Sequence, residues 1–182
     1  MEFSRTKIPD VILIQPELIG DHRGFFLETY HAERYSEIGI PEKFHQDNLV
    51  GSRRGTLRGL HYQIRYPQGK LIWVVKGEIY DVAVDIRRSS PTFGKWIGEW
   101  LTESNRKQLW VPPGFAHGYF VKSEWAEVVY KVTDIYAPEW ERTINWNDPA
   151  IGIEWPTIPQ AKPLLSEKDL LGDPLEDAEV YE

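Results

Sequence analysis

Of the five histidines in the chain, two stand where an imidazole could move protons. His61 lies in GTLRGLHYQ, a strand pattern framed by glycines. His117 lies in VPPGFAHG, just after a tight Pro-Gly turn. With an ordinary pKa of about 6.5, a histidine can serve as base or acid near neutral pH. A lone strand histidine is a hydrogen-bonded structural residue more often than a catalyst, so His61 alone decides nothing. A base of this strength takes a proton from carbon only where the resulting charge is stabilised. A proton beside a ketone meets that need, because the charge moves onto oxygen as an enolate. A cation should then face that oxygen. Lys70 in PQGKL and Arg58 are the candidates. Inverting a carbon also needs an acid on the opposite face. Tyr130, in EVVYKVTD on a separate strand, is a candidate acid or else a core residue.

A metal site is the rival reading. The turn Pro113-Gly114-Phe115-Ala116-His117 resembles the second metal motif of cupin barrels. Metal-binding cupins pair it with an earlier strand whose two histidines lie one residue apart. Here that strand reads His61-Tyr62-Gln63, and Gln is a poor ligand for a transition metal. Two histidines without further ligands do not close a site. The expectation is no metal and no cofactor.

These residues need a scaffold, and the punctuation of the chain supplies its class. Gly, Pro, Asn and Asp recur at short intervals between short alternating runs, the pattern of an all-β sandwich or barrel. The clearest strand is 78–86, with Tyr80, Val82, Val84 and Ile86 on one face and Ile79, Asp81, Ala83 and Asp85 on the other. A run at 71–75 precedes it, and Lys76-Gly77 between them reads as a hairpin turn. Further strands are expected at 11–15, 24–30, 43–50, 56–63, 96–101, 108–111, 118–121 and 127–133. A short helix is expected over Ala32–Ile38, closed by Gly39. Another starts at SEKD with Ser166 as its cap. The Pro-rich stretch 147–163 reads as a strap over the barrel. The whole chain, 1–182, reads as one domain with 147–182 as its C-terminal tail.

Composition narrows the partners. A net charge of −7 argues against a nucleic-acid binder, which carries a basic patch. It leaves room for a small anion held by a few arginines. There is no cysteine, which excludes disulfides and thiolate metal sites. No run approaches the roughly 18 apolar residues of a membrane span, and the start of the chain lacks a signal-peptide apolar run. The expected location is the cytoplasm. Eight Trp and nine Tyr suit strands and also stacking against sugars and bases.

Eight blocks in order then carry a family resemblance: DHRGFFLETY, FHQDNLVGSRRGTLRGLHYQ, PQGKL, GEIYDVAVDIRRSSPTFGKW, NRKQLWVPPGFAHGYF, YKVTDIYAPEWE, WNDPAIGIEWP and LSEKD. The chain resembles the dTDP-4-dehydrorhamnose 3,5-epimerase family over nearly its whole length. The resemblance implies a cupin-like jelly-roll β-barrel with a few short helices, acting as a homodimer. It implies epimerisation of dTDP-4-dehydro-6-deoxy-D-glucose at C3 and C5. His61 would be the proton acceptor, Asp169 its carboxylate partner, Tyr130 the proton donor, and Lys70 the partner of the enolate oxygen. Arg23, Glu28, Gln46, Asn48, Arg58, His117, Glu141 and Lys168 would line the substrate and nucleotide pocket. Arg23 and Arg58 suit diphosphate oxygens. Gln46 and Asn48 share one strand face and could read the edges of a base.

Two points test the resemblance. Trp73 stands where many relatives carry a cation, though alternation puts it on the face opposite Lys70. Arg58 and His61 lie three apart, so a regular strand would aim them at opposite faces. Both reach one pocket only if the strand is irregular, and Gly59 is where a bulge would form. Two other readings stay open: a C3-only mono-epimerase of a related dTDP-4-keto-6-deoxy sugar, and a sugar-nucleotide binding module without turnover. A metal-dependent oxygenase is disfavoured by Gln63.

Overall fold

The structure, a computed structural model, describes residues 1–41, 43–156 and 162–182. The middle of the expected strap, 157–161, lies outside the described residues. Among those described there are thirteen strands, with β-branched and aromatic residues dense in the long ones at 70–76, 78–85, 115–121 and 125–132. The first half of the chain forms β1 (Glu2–Arg5), β2 (Ile12–Gln15), β3 (Leu18–Asp21), β4 (Gly24–Leu27), β5 (Gln46–Arg53), β6 (Leu57–Gln63) and β7 (Lys70–Lys76). The second half forms β8 (Glu78–Asp85), β9 (Trp96–Thr102), β10 (Gln108–Val111), β11 (Phe115–Val121), β12 (Trp125–Val132) and β13 (Glu141–Thr143). Two short helices, α1 (Ala32–Ser36) and α2 (Glu167–Leu170), complete the element list with a 3₁₀ turn at Pro138–Trp140.

Two antiparallel sheets face each other. One runs β1-β2-β10-β7-β12-β5 and the other β13-β6-β11-β8-β9. Between them lies a core built from Ile72, Val74, Ile79, Ala83, Leu109, Tyr119, Val121 and Val128, among others. The fold is all-β and has the cupin-like jelly-roll form. A separate two-stranded hairpin, β3-β4, stands apart with Leu18, Ile19, Phe25 and Phe26 exposed.

The expected hairpin at Lys76-Gly77 is not one. Gly77 does turn the chain, with φ of +82°, but β7 and β8 belong to different sheets. Ile72 and Val74 meet Ile79 and Ala83 across the core instead of side by side. Turn chemistry alone cannot distinguish a hairpin from a corner between sheets, because both need the same positive φ. The alternation in β8 is correct, but neither face is wet. Ile79 and Ala83 enter the inner core, while Val82, Val84 and Ile86 pack under Ile144, Ile151, Leu175 and Ala178. The tail therefore covers the outer face of this sheet. Trp73 packs on the outer face of the other sheet, against Tyr35, Leu71 and Trp110, as alternation requires.

The helix α1 is shorter than Ala32–Ile38. Gly39, with φ of +92°, donates its N–H to Ser36, and the chain turns early so that Ile38 and Ile40 pack beside Tyr35. Strands β1, β3 and β13 carry no alternation of burial and so had no signal in the sequence.

Candidate active site

The site forms where β6 breaks its regular pairing with β11. His61 lies opposite His117, and Arg58 lies opposite Tyr119. Three steps along β6 thus match two along β11, the extra residue of a bulge. Gly59 takes it up with φ of +131°, and a Cβ there would stand 2.6 Å from the Gly118 Cα. The bulge lets Arg58 and His61 line one cavity of about 290 Å³. Lys70 and Tyr130 enter the same cavity from the facing sheet.

The tail supplies the partner of His61. Asp169 Oδ1 lies 2.6 Å from His61 Nε2, across 108 positions of sequence. The Gly59 N–H donates to the same oxygen at 3.2 Å. The other oxygen accepts from the Ser166 hydroxyl at 2.6 Å and its N–H at 3.2 Å. The residue that caps α2 therefore also orients the carboxylate, in a capping box. Asp169 is only 3 % exposed. Burial opposes its charge, but the hydrogen bonds from His61 and Ser166 outweigh it and hold the carboxyl well below the usual range. An ionised carboxylate only accepts, so the proton of neutral His61 sits on Nε2 and leaves Nδ1 as the basic nitrogen. Burial is the main cause lowering the pKa of His61, with Lys168 and Lys70 adding to it and Asp169 pulling the other way.

Lys70 touches the cavity but is otherwise surrounded by protein. Burial brings its pKa down to about 8, partly offset by Asp81 and Glu141. Its Nζ reaches the His61 carbonyl at 3.4 Å. Burial raises the pKa of Tyr130, which keeps its phenol protonated. His117 is buried and bonded through Nε2 to both oxygens of Asp81, at 2.9 and 3.0 Å. Glu141 lies at the mouth, held by Lys168 at 2.8 Å and Tyr136 at 3.0 Å. Gln46 donates to Asn48 at 2.8 Å on β5, and both line the cavity.

Ten of the twelve residues expected from sequence thus gather here: His61, Asp169, Lys70, Tyr130, Gln46, Asn48, Arg58, His117, Glu141 and Lys168. Arg23 and Glu28 do not. Arg23 sits on the β3-β4 hairpin, exposed and paired with Asp21, and Glu28 follows the hairpin and pairs with Arg34. Sequence reasoning missed Tyr119, Tyr136 and Gln68, which also line the cavity. It gave no site role to Asp81, which alternation put on one face with Ile79 and Ala83, the face that turns out to be the inner one. Gln63, at the position of a cupin metal ligand, is a strut. Its amide donates to Tyr66 and Ile135 and accepts from Ala137. Among the described residues no group of three or more His, Asp or Glu is arranged to hold a metal ion, and no helix is long and apolar enough to cross a membrane.

Residues 5–177 match the family model described as dTDP-4-dehydrorhamnose 3,5-epimerase. The chain belongs to that family. It is 55 % identical over 182 residues to the dTDP-4-dehydrorhamnose 3,5-epimerase of Pseudomonas aeruginosa, covering all of this chain and 99 % of the relative. A dTDP-4-dehydrorhamnose 3-epimerase of Streptomyces niveus is more distant, at 39 % over 86 % of this chain and 75 % of its own length. Among solved structures, the epimerase of Legionella pneumophila in complex with dTDP-4-keto-L-rhamnose superposes with a TM-score of 0.95. It is 46 % identical, with 98 % of this chain and 94 % of that one covered.

Proposed function

We propose that the protein epimerises dTDP-4-dehydro-6-deoxy-D-glucose at C3 and C5, giving dTDP-4-dehydro-L-rhamnose. The observation that carries the mechanism is one cavity with a base and an acid on opposite walls. His61 comes from the β6 sheet, while Tyr130 and Lys70 come from the facing sheet. His61 Nδ1 takes the proton from a carbon beside the C4 ketone, and Asp169 stabilises the imidazolium that forms. The electron pair moves onto the ketone oxygen, where the Lys70 ammonium stabilises the enolate. Tyr130 then gives its phenolic proton to the other face of the same carbon, which inverts it. Both C3 and C5 flank the ketone, so one constellation serves both in turn, once the Tyr130 phenolate has regained a proton from solvent and the His61 imidazolium has given one up to it.

Arg58, Gln46, Asn48, His117, Glu141 and Lys168 hold the sugar nucleotide. The higher identity to 3,5-epimerases than to the 3-epimerase favours double inversion over the C3-only reading. The acid–base pair with its own anion stabiliser favours turnover over a binding module. NMR of the product formed from the dTDP-4-keto sugar in D₂O tests this. Deuterium at both C3 and C5 is expected; deuterium at C3 alone would make the protein a mono-epimerase.

The working form we propose is a homodimer, with residues 1–182 one domain and 147–182 its strap. The β3-β4 hairpin supports this. It exposes four large apolar side chains and holds Arg23 outside the cavity of its own subunit. A second copy would cover that apolar surface and give Arg23 a cavity to serve.

A further inference from the structure

Tyr119 presents an oxygen that packing does not need. The residue is 4 % exposed and its ring belongs to the inner core. Among the described residues its hydroxyl has no partner in hydrogen-bonding geometry. Ser52 lies near it and accepts from Arg58 Nε at 3.0 Å, but its hydroxyl is not in bonding geometry with the phenol. A phenylalanine would fill the same volume without burying an unbonded hydroxyl, which costs stability. Tyr119 also lines the cavity and lies opposite Arg58 in the strand register. Arg58 has no ion pair among the described residues. Asp81, a carboxylate that bears on Tyr119, is occupied by His117. Burial pushes the phenol up to about 12, so it is a neutral donor at working pH. Two donors therefore stand side by side on the cavity wall: the Tyr119 hydroxyl is without a partner among the described residues, and Arg58 gives Ser52 only its Nε.

We propose that the Tyr119 hydroxyl donates a hydrogen bond to a diphosphate oxygen of the bound sugar nucleotide, beside the Arg58 guanidinium. The ketone oxygen falls to Lys70 and the base edges to Gln46 and Asn48, which leaves the diphosphate as the acceptor-rich part of the ligand. This rests on the sugar-nucleotide reading given above. The test is Tyr119→Phe, titrated with dTDP by calorimetry and with thymidine by ligand-observed NMR, alongside a thermal melt. Expected is a Kd for dTDP raised about tenfold or more, the usual effect of losing a bond to a charged acceptor. Thymidine binding and Tm should not fall. A dTDP affinity within about twofold of the wild type would mean that the hydroxyl binds water only, and would overturn the proposal. Equal losses for dTDP and thymidine would overturn it too, as a general distortion of the pocket. If the wild-type protein itself fails to bind dTDP, the functional reading falls, and this one with it.

Discussion

Replacing Asp169 by Asn keeps the shape of the side chain and removes its charge. The carboxylate takes four hydrogen bonds, two on each oxygen. An amide has one acceptor oxygen, so one pair of donors must lose its partner. With that oxygen toward Gly59, Asn still accepts from His61 Nε2, and the tautomer survives. The NH₂ then meets the Ser166 N–H, and only the Ser166 hydroxyl can rotate to accept. The loss of rate therefore comes mainly from charge, since a neutral amide does not stabilise the imidazolium. The expected fall in kcat is about 10²–10⁴-fold, the range for a positioned acid–base group. That equals about 3–5 kcal/mol of barrier. The damaged capping box should cost about 1–2 kcal/mol of stability, or roughly 2–8 °C in Tm for a chain of this size. The assay is solvent deuterium entry followed by NMR, with a melt on the same sample. Exchange within about threefold of the wild type, with Tm lowered as expected, would refute the dyad and leave Asp169 as a helix cap only.

The pH profile of kcat/KM should be bell-shaped. The base must be neutral and burial lowers the pKa of His61, so the acid limb should lie below about 6.5. The ammonium of Lys70 is lost as pH rises through about 8, which sets the alkaline limb; a profile flat to pH 10 would contradict a cationic role. Tyr130→Phe removes the acid and leaves the base and the cation. It should still exchange deuterium into recovered substrate while forming little epimer, and inversion at near wild-type rate would mean that another group is the acid. Light scattering should give a dimer at micromolar concentration. Changing Phe25 and Phe26 together to Ser should yield monomers, because both rings are exposed on the hairpin of a single copy. A monomeric wild type would contradict the dimer.

Much of this was legible in the sequence, for identifiable reasons. Strands β8 and β12 were visible because each keeps an apolar face in alternation, although both faces of β8 are covered in the structure. The bulge at Gly59 followed from a conflict: two polar residues three apart were both wanted in one pocket. The pairing of His61 with Asp169 rested on the resemblance alone, since no local pattern links residues so distant. The sheet assignment of β7 and β8 was not legible, because a glycine turn has the same chemistry at a hairpin and at a corner. Tyr119 was missed because a tyrosine on a core strand looks like packing until its hydroxyl is found without a partner. Arg23 and Glu28 were expected at the pocket on the resemblance alone and lie outside it in the single chain, paired with Asp21 and Arg34.

The tail that carries Asp169 also has its own attachments. Leu164 pairs with Gly55 and Leu57, Asp173 with Thr143 and Asn145, and Tyr181 with Ile86. These are bonds along sheet margins and over an outer face, separate from the core between the sheets. The base therefore depends on a docking equilibrium that the barrel does not share. A local opening of the tail would spare the core between the sheets but uncover Val82, Val84 and Ile86 and deprive His61 of its counter-charge. On gentle heating, activity should fade before the global melt begins. Synthesis imposes the same order. Every strand among the described residues leaves the ribosome before Asp169 does, so the paired strands precede the carboxylate that completes the base.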